Sequence, residues 1–200
     1  MFLKLIGRPC LVVGAGSIAE SKIEGLLRAD AEVRVVAPEA TLKVRGWARR
    51  HKIVWQQRGF RNEDLEGVLL VVAATSSTQL HQQIFRQAQK QGVLCYIVDV
   101  PLLCDFYYPA VVRRGALQIA ISTTGQSPAL AQRLRKELER QFGPDYEPWL
   151  RHIGRVRQEI RTGSLSVEER KQLLHALVSK EGFKEFHQGR KKPQRVRRKA

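Results

Sequence analysis

Residues 10–22 read Cys-Leu-Val-Val-Gly-Ala-Gly-Ser-Ile-Ala-Glu-Ser-Lys, and this stretch decides the fold. Four apolar residues, Cys10 to Val13, run into Gly14, Ala15 and Gly16, with Ala19 three positions later. Each small residue has a mechanical task in a strand–turn–helix unit. Gly14 permits a tight exit from a strand, Gly16 has no side chain to hold a pyrophosphate off the backbone, and Ala19 lets the helix lie close on the sheet. The free N–H groups of the helix start, at Ser17 and Ile18, offer partial positive charge to phosphates. Ile18, Ile23, Leu26 and Leu27 then recur at helical spacing. A glycine turn in an ordinary α/β protein is the plain alternative; we read a dinucleotide site.

Outward from there, strand and helix patterns alternate through the first hundred residues. Strands are expected over 10–13, 32–37, 53–56, 68–73 and 94–98, helices over 17–28, 41–51 and 78–91, and a helical turn over 62–65. Near-continuous apolar strands such as 68–74, VLLVVAA, argue for a parallel sheet covered on both faces. Right-handed crossovers then give a doubly wound, Rossmann-like α/β fold with ligands at the carboxyl ends of its strands. Those ends are 14–17, 38–39, 73–77 and 99–105.

The pattern changes after Pro109. Residues 110–123 read as an antiparallel hairpin turning at Arg114-Gly115. Ser127 can cap a helix that has Pro128 at its first position and ends at Gly143-Pro144. A further helix is expected over 146–161, and Ser166 caps a last one carrying Leu173, Leu174, Leu177 and Val178 on one face. We divide the chain into an NAD-binding domain (1–110), a dimerisation region (111–145), a small helical domain (146–189) and a basic disordered tail (190–200). A hairpin with helices buries little by itself, so the hairpin suits a homodimer seam.

Composition limits the function classes. The chain has 200 residues, 43% of them hydrophobic, enough for a buried core, and no stretch long and apolar enough to span a bilayer. The N-terminus is too short before its first strand to be a signal peptide. Cys10, Cys95 and Cys104 form no CxxC pair, which suggests a reducing cytoplasm without disulfide or structural zinc. The five histidines show no metal-ligand spacing, so no permanent metal is expected. The net charge of +16 is partly local to the basic end, a solubilising tail or one made for nucleic acid, an acidic membrane surface or a polyanion. Arginines inside the folded part, among them Arg113 and Arg114, point to a partner with several negative charges.

Three places can carry chemistry. An NAD-binding unit usually has an acidic residue about 20 positions past the first glycine, for the ribose hydroxyls. Here Pro38 and Glu39 stand there, so either Glu39 acts from the loop or backbone groups hold the ribose. No arginine sits at that spot for a 2′-phosphate, although Lys43 and Arg45 are near; NAD is favoured over NADP. Asp99 closes an apolar strand at the ligand edge, where a partly desolvated carboxylate with a raised pKa would accept a proton; alternatively it caps the turn before Pro101. Asp105, among aromatic residues able to line a flat ligand, is either a binding group or another cap. The loop 122–127, with Ser122, Thr123 and Ser127, is a carboxylate or phosphate cradle, compatible with an ordinary cap at Ser127.

Together these segments resemble the precorrin-2 dehydrogenase family of sirohaem synthesis, some members of which are also sirohydrochlorin ferrochelatases. The resemblance runs to about residue 150 and is most specific at 99–106 (DVPLLCDF) and 114–131 (RGALQIAISTTGQSPALA). It implies oxidation of precorrin-2 to sirohydrochlorin by NAD, with the tetrapyrrole in a cleft between the domains, and ferrous iron insertion in chelatase relatives. Asp99 would be the general base or serve the chelation step. Cofactor contacts would fall on Gly14, Gly16, Ser17 and Ile18, on Pro38 and Glu39, and on Ala73, Ala74 and Thr75; Thr123 would lie near the substrate. A polycarboxylic substrate also accounts for the interior arginines without nucleic acid. The chain departs from relatives at Tyr96, often asparagine, and Ser21, often arginine. Outside this family, a non-catalytic NAD- or tetrapyrrole-binding carrier and a redox-sensing regulator are the alternatives.

Overall fold

A computed structural model describes residues 2–191, excluding the side chains of 190 and 191. The chain separates into two compact units, Met1–Tyr108 and Pro109–Ala200. The expected segments 111–145 and 146–189 fall together in the second unit. The basic tail expected from 190 lies outside the described residues from 192 on.

The first unit alternates strand and helix: β1 (Pro9–Val13), α1 (Ser17–Leu27), β2 (Glu32–Val36), α2 (Leu42–Arg49), β3 (Val54–Gln56), a 3-10 turn (Asn62–Leu65), β4 (Leu70–Ala73), α3 (Thr78–Gln91), β5 (Leu94–Ile97) and a second 3-10 turn (Pro101–Leu103). All five strands are parallel, in the order β3-β2-β1-β4-β5. The chain builds outward from β1 to β3, then crosses back to place β4 on the other side of β1. That reversal is a topological switch point, where the strand ends part and open a crevice. The register aligns the carboxyl ends: Val13 lies beside Val36 and Ala73, and Ala73 beside Ile97.

Alternation along the strands fills both faces. Cys10 and Val12 of β1 join Val33, Val35, Leu70 and Val72 under Ala19, Ile23 and Leu26 of α1 and Val44 of α2. Leu11 and Val13 join Val71, Ala73, Cys95 and Ile97 under Ile84 and Ala88 of α3. Each fully buried Leu, Ile or Val contributes about 1.5–3 kcal/mol against exposure. Ile18 departs from the sequence pattern. It is 54% exposed, because the buried stripe of α1 begins at Ala19. Burial pushes the Cys10 thiol up to about 11 and that of Cys95 to about 12, so both pack as neutral, small apolar groups.

The second unit starts with the antiparallel hairpin β6 (Ala110–Arg114) and β7 (Leu117–Ile121), followed by α4 (Pro128–Gln141), α5 (Tyr146–Thr162), α6 (Val167–Leu177) and α7 (Lys180–Lys191). Ser127 caps α4, its hydroxyl accepting from Leu130 N–H, with Pro128 at the first helical position. Ser166 and Glu169 form a capping box at α6. The helix begun at Ser166 is not the last, since Val178 and Ser179 turn the chain into α7. Leu173 and Val178 are each 48% exposed, so the apolar face of α6 is only partly covered. Among the described residues of this unit only Val112 and Ala131 are buried; the rings of Phe142, Tyr146, Trp149 and Phe183 pack against one another.

Candidate active site

The carboxyl rim of the sheet is where the sequence-predicted residues of the first unit meet. Gly14 leaves β1 with φ +100°, and a Cβ there would lie 2.3 Å from the carbonyl oxygen of Ala74. Only glycine allows the two strand ends to approach so closely; Ala74 N–H donates to Val13 O and Gly14 N–H to Val36 O, tying β1 to both neighbours at the foot of the crevice. Gly16 differs. A Cβ there would meet nothing within 4 Å, so its missing side chain leaves open space above the start of α1. Gly16 is also the N-cap, without a side-chain acceptor for the helix's first N–H groups. Ser17 and Ile18 are exposed beside it.

Opposite, after β4, the hydroxyl oxygen of Thr75 is buried and has no hydrogen-bond partner. An orphaned hydroxyl beside a helix start with free donors fits an absent polyoxygen ligand. Ala73 is fully buried in the sheet, so its side chain is closed to a ligand. Buried His81 on α3 holds the loop: its Nε2 lies 2.9 Å from the Thr75 carbonyl oxygen and so carries the donated proton. Sequence reasoning weighed His81 only as a metal ligand and missed this role. Beyond β2, Pro38 and Glu39 are exposed at the same rim. The two nearby cations are engaged: Lys43 with Glu24 and Glu20, and Arg45 with the Ala40 carbonyl and the Trp55 ring.

Asp99 follows β5 in the left-handed region, with φ +61°. It is exposed, so this unit does not supply the desolvation anticipated from its position after an apolar strand. The chain before and after it supplies groups that sequence reasoning left unassembled. Tyr96, Phe106 and Tyr108 pack edge to face and tilted, with centroids 4.8–5.8 Å apart. The Lys22 ammonium of α1 lies 4.2 Å from the Tyr108 ring centre and 5.0 Å from that of Tyr96. Burial pushes Lys22 down, while the charges of Asp99 and Cys104 oppose that shift. Burial pushes the Tyr96, Cys104 and Tyr108 hydroxyls and thiol up.

Two candidates make extensive structural hydrogen bonds. Both carboxylate oxygens of Asp105 receive Gln89 at 3.0 Å, one also accepts Cys95 N–H at 2.8 Å, and Asp105 N–H donates to Cys95 O. It closes the outer edge of β5, which would otherwise present unpaired backbone. The Arg114 guanidinium donates to the carbonyls of Phe142, Glu139 and Arg113 at 2.7–2.8 Å. It satisfies carbonyls at the end of α4. Arg113 is exposed. In the loop before α4, Ser122 Oγ accepts Thr124 N–H and Thr123 Oγ1 accepts Ser127 N–H; those hydroxyls shape the loop and keep their own protons to donate. Among the described residues no group of three His, Cys, Asp or Glu could hold a metal, and no helix is long and apolar enough to cross a membrane.

The family described as "Putative NAD(P)-binding" matches residues 1–110, and "Sirohaem biosynthesis protein central" matches 114–141. Siroheme synthases of Nitrosococcus oceani and Neisseria meningitidis serogroup C are 36% and 37% identical over 171 residues, 86% of this chain and 36% of each relative. The chain thus spans about a third of those relatives' length. The solved structure of SirC, a precorrin-2 dehydrogenase, superimposes with a TM-score of 0.77 at 28% identity, covering 94% of this chain and 96% of that one. With the dinucleotide rim, the hairpin unit and these likenesses in one order along the chain, it belongs to the NAD(P)-binding family of sirohaem biosynthesis that includes precorrin-2 dehydrogenase.

Proposed function

We propose that this protein oxidises precorrin-2 to sirohydrochlorin with NAD⁺. One observation carries the reading: Asp99 leaves β5 at the same sheet rim as the orphaned Thr75 hydroxyl and the open space over Gly16. When bound, the nicotinamide supplies the two-electron acceptor: a C–H bond of the substrate breaks to give it a hydride, and a second hydrogen leaves as a proton. Asp99 takes that proton and passes it to water. Gly14, Gly16, Ser17 and Ile18 would hold the pyrophosphate, Thr75 would donate from its hydroxyl, and Ala73 and Ala74 would line the approach. Pro38 and Glu39 would face the adenosine ribose. The engagement of Lys43 and Arg45 favours NAD over NADP, since neither is free for a 2′-phosphate.

Arg113, with the hydroxyls of Ser122, Thr123 and Ser127, would meet carboxylates of the substrate. The same Asp99 would take the pyrrole protons that ferrous iron displaces. The thin second unit supports a homodimer through its hairpin, where Leu117, Ile119 and Ile121 are half-buried. Three free cysteines accord with the cytoplasm.

The test is incubation of the whole chain with precorrin-2 and NAD⁺, followed by ferrous ion, with absorbance followed throughout. NADH should form at the first step. Asparagine tolerates the left-handed conformation, so Asp99→Asn removes the base without new strain. That variant should lose turnover by about 100-fold or more and still bind NAD⁺. Tetrapyrrole binding without NADH formation would make the protein a carrier instead.

A further inference from the structure

The loop after β4 passes quickly from sheet hydrogen bonds to side-chain control. Ala74 N–H donates to Val13 O at 2.8 Å and Val98 N–H to Ala73 O at 3.0 Å, so the sheet fixes the chain as far as Ala74. The Thr75 carbonyl lies beyond that ladder and accepts from the His81 ring, 2.9 Å away on α3. The backbone N–H of His81 also donates to Ser77 O at 3.0 Å. One residue therefore grips the loop at both ends, and at 6% exposure it has little room to let go. What this clamp holds is a polar group in an unfavourable state. The Thr75 hydroxyl is buried without a partner, while the Thr75 methyl lies 3.3 Å from where a Cβ on Gly14 would stand. An unpaired buried hydroxyl is destabilising, and a loose loop would turn to satisfy it.

We propose that His81 is a positioning residue for the nicotinamide dinucleotide: by clamping the Thr75 carbonyl it keeps the Thr75 hydroxyl in reserve for a cofactor oxygen. The assignment rests on the cofactor lying along this rim. A donor held in place beforehand loses less on binding than one that must first leave another partner and order its loop. The clamp is itself anchored, since His81, Ile84 and Ala88 form the buried stripe of α3 and the last two pack against the sheet. His81 acts only through Thr75, so its effect belongs to cofactor binding and not to hydride transfer.

The test is calorimetric titration of the full chain with NAD⁺ in wild type, Thr75→Val, His81→Leu, His81→Gln and the double variant Thr75→Val with His81→Leu. Thr75→Val and His81→Leu alone should each weaken NAD⁺ binding by about tenfold, the loss expected for one hydrogen bond. The double variant should bind within about threefold of Thr75→Val, because the clamp then has no hydroxyl to present. Glutamine can place an amide donor near the Nε2 position, so His81→Gln should recover most of the loss. KM for NAD⁺ should rise in His81→Leu, with kcat at saturating cofactor unchanged. In the cofactor-free protein, ¹⁵N-histidine spectra should find a proton on His81 Nε2, with and without the Thr75 hydroxyl. If His81→Leu melts early, His81→Met replaces it as the variant without a donor. Losses that multiply in the double variant, undiminished affinity in a folded variant without the donor, or a His81 Nε2 without a proton would overturn the role of His81 and leave the cofactor reading intact. A wild-type chain that does not bind NAD⁺ would overturn the cofactor reading, and the role of His81 with it.

Discussion

Replacing Gly14 and Gly16 separately by alanine distinguishes a dinucleotide rim from a mere turn. At Gly14 the added Cβ would stand 2.3 Å from the Ala74 carbonyl oxygen and 2.9 Å from its carbon, on a backbone with φ +100°. An L side chain in such a conformation costs about 1–3 kcal/mol. The overlap is with backbone, so it cannot be relieved by a rotamer; the β1 and β4 ends must part by about an ångström to reach ordinary contact. For a chain of this size, about 2 kcal/mol lowers the melting temperature by about 4–8 °C. Because Thr75 rides on the displaced strand end, NAD⁺ affinity should fall by about 100-fold as well. Gly16→Ala meets nothing within 4 Å and sits at φ −79°, which any residue adopts. Its melting temperature should stay within about 2 °C of wild type, since a surface change is worth under about 0.5 kcal/mol. Its NAD⁺ affinity should nevertheless drop, as the methyl occupies the space of the pyrophosphate. Calorimetric titration with NAD⁺ and thermal melts read both quantities. Undiminished NAD⁺ binding by Gly16→Ala would refute the placement of the pyrophosphate over α1, and a Gly14→Ala protein with native melting would refute the close approach of the strands.

Arg114→Met should destabilise the chain by about 1–3 kcal/mol, because three carbonyls lose a charged donor; a raised KM for substrate with unchanged melting would instead return Arg114 to the binding set. Acid stability should depend on Asp64. Burial pushes its carboxyl up, but the hydrogen bonds from Arg58 at 2.6 and 2.9 Å and from Arg61 N–H prevail and hold it below the usual carboxylate range. A depressed folded-state value means stabilisation that is complete above the ordinary carboxylate range and disappears as pH falls through the folded value. Denaturant unfolding at pH 7 and at pH 3 should therefore show a smaller acid loss in Asp64→Asn than in wild type; equal losses would remove the pair from the acid response.

The elements were legible wherever local chemistry and burial agreed. Residues 78–91 read as a helix and form α3 with those bounds, because Ser77 caps it and Gly92 ends it at φ +67°. The hairpin was legible for the same reason: alternation on both sides of Gly115, whose φ is +58°. What escaped the sequence was the use made of polar side chains. Asp105 and Arg114 carry the residue types of a binding site, but their partners are backbone groups 10 and 28 residues away, and no spacing rule reports such pairings. Lys22 escaped because its neighbours, 74 and 86 positions later, meet it only once β5 and the chain after it fold back beside α1. Ile18 misled by type: apolar residues in a first turn need not join the stripe that begins one residue on.

The left-handed turn at Asp99 shows why these two kinds of legibility separate. A φ of +61° alone asks for glycine, asparagine or aspartate, and glycine would be the least strained. Choosing aspartate adds a charge that does nothing for the turn. Lys22 of α1 seats its ammonium over the Tyr96 and Tyr108 rings, so the helix whose start is built for phosphates is also held against the strand that ends before Asp99. A shift of α1 should loosen the pyrophosphate seat. NAD⁺ affinity should accordingly fall in variants that disturb the packing of α1, such as Ile23→Ala, where an emptied core site costs about 2–5 kcal/mol and Ile23 is fully buried. Unchanged NAD⁺ affinity in a folded Ile23→Ala protein would show that the start of α1 does not seat the cofactor.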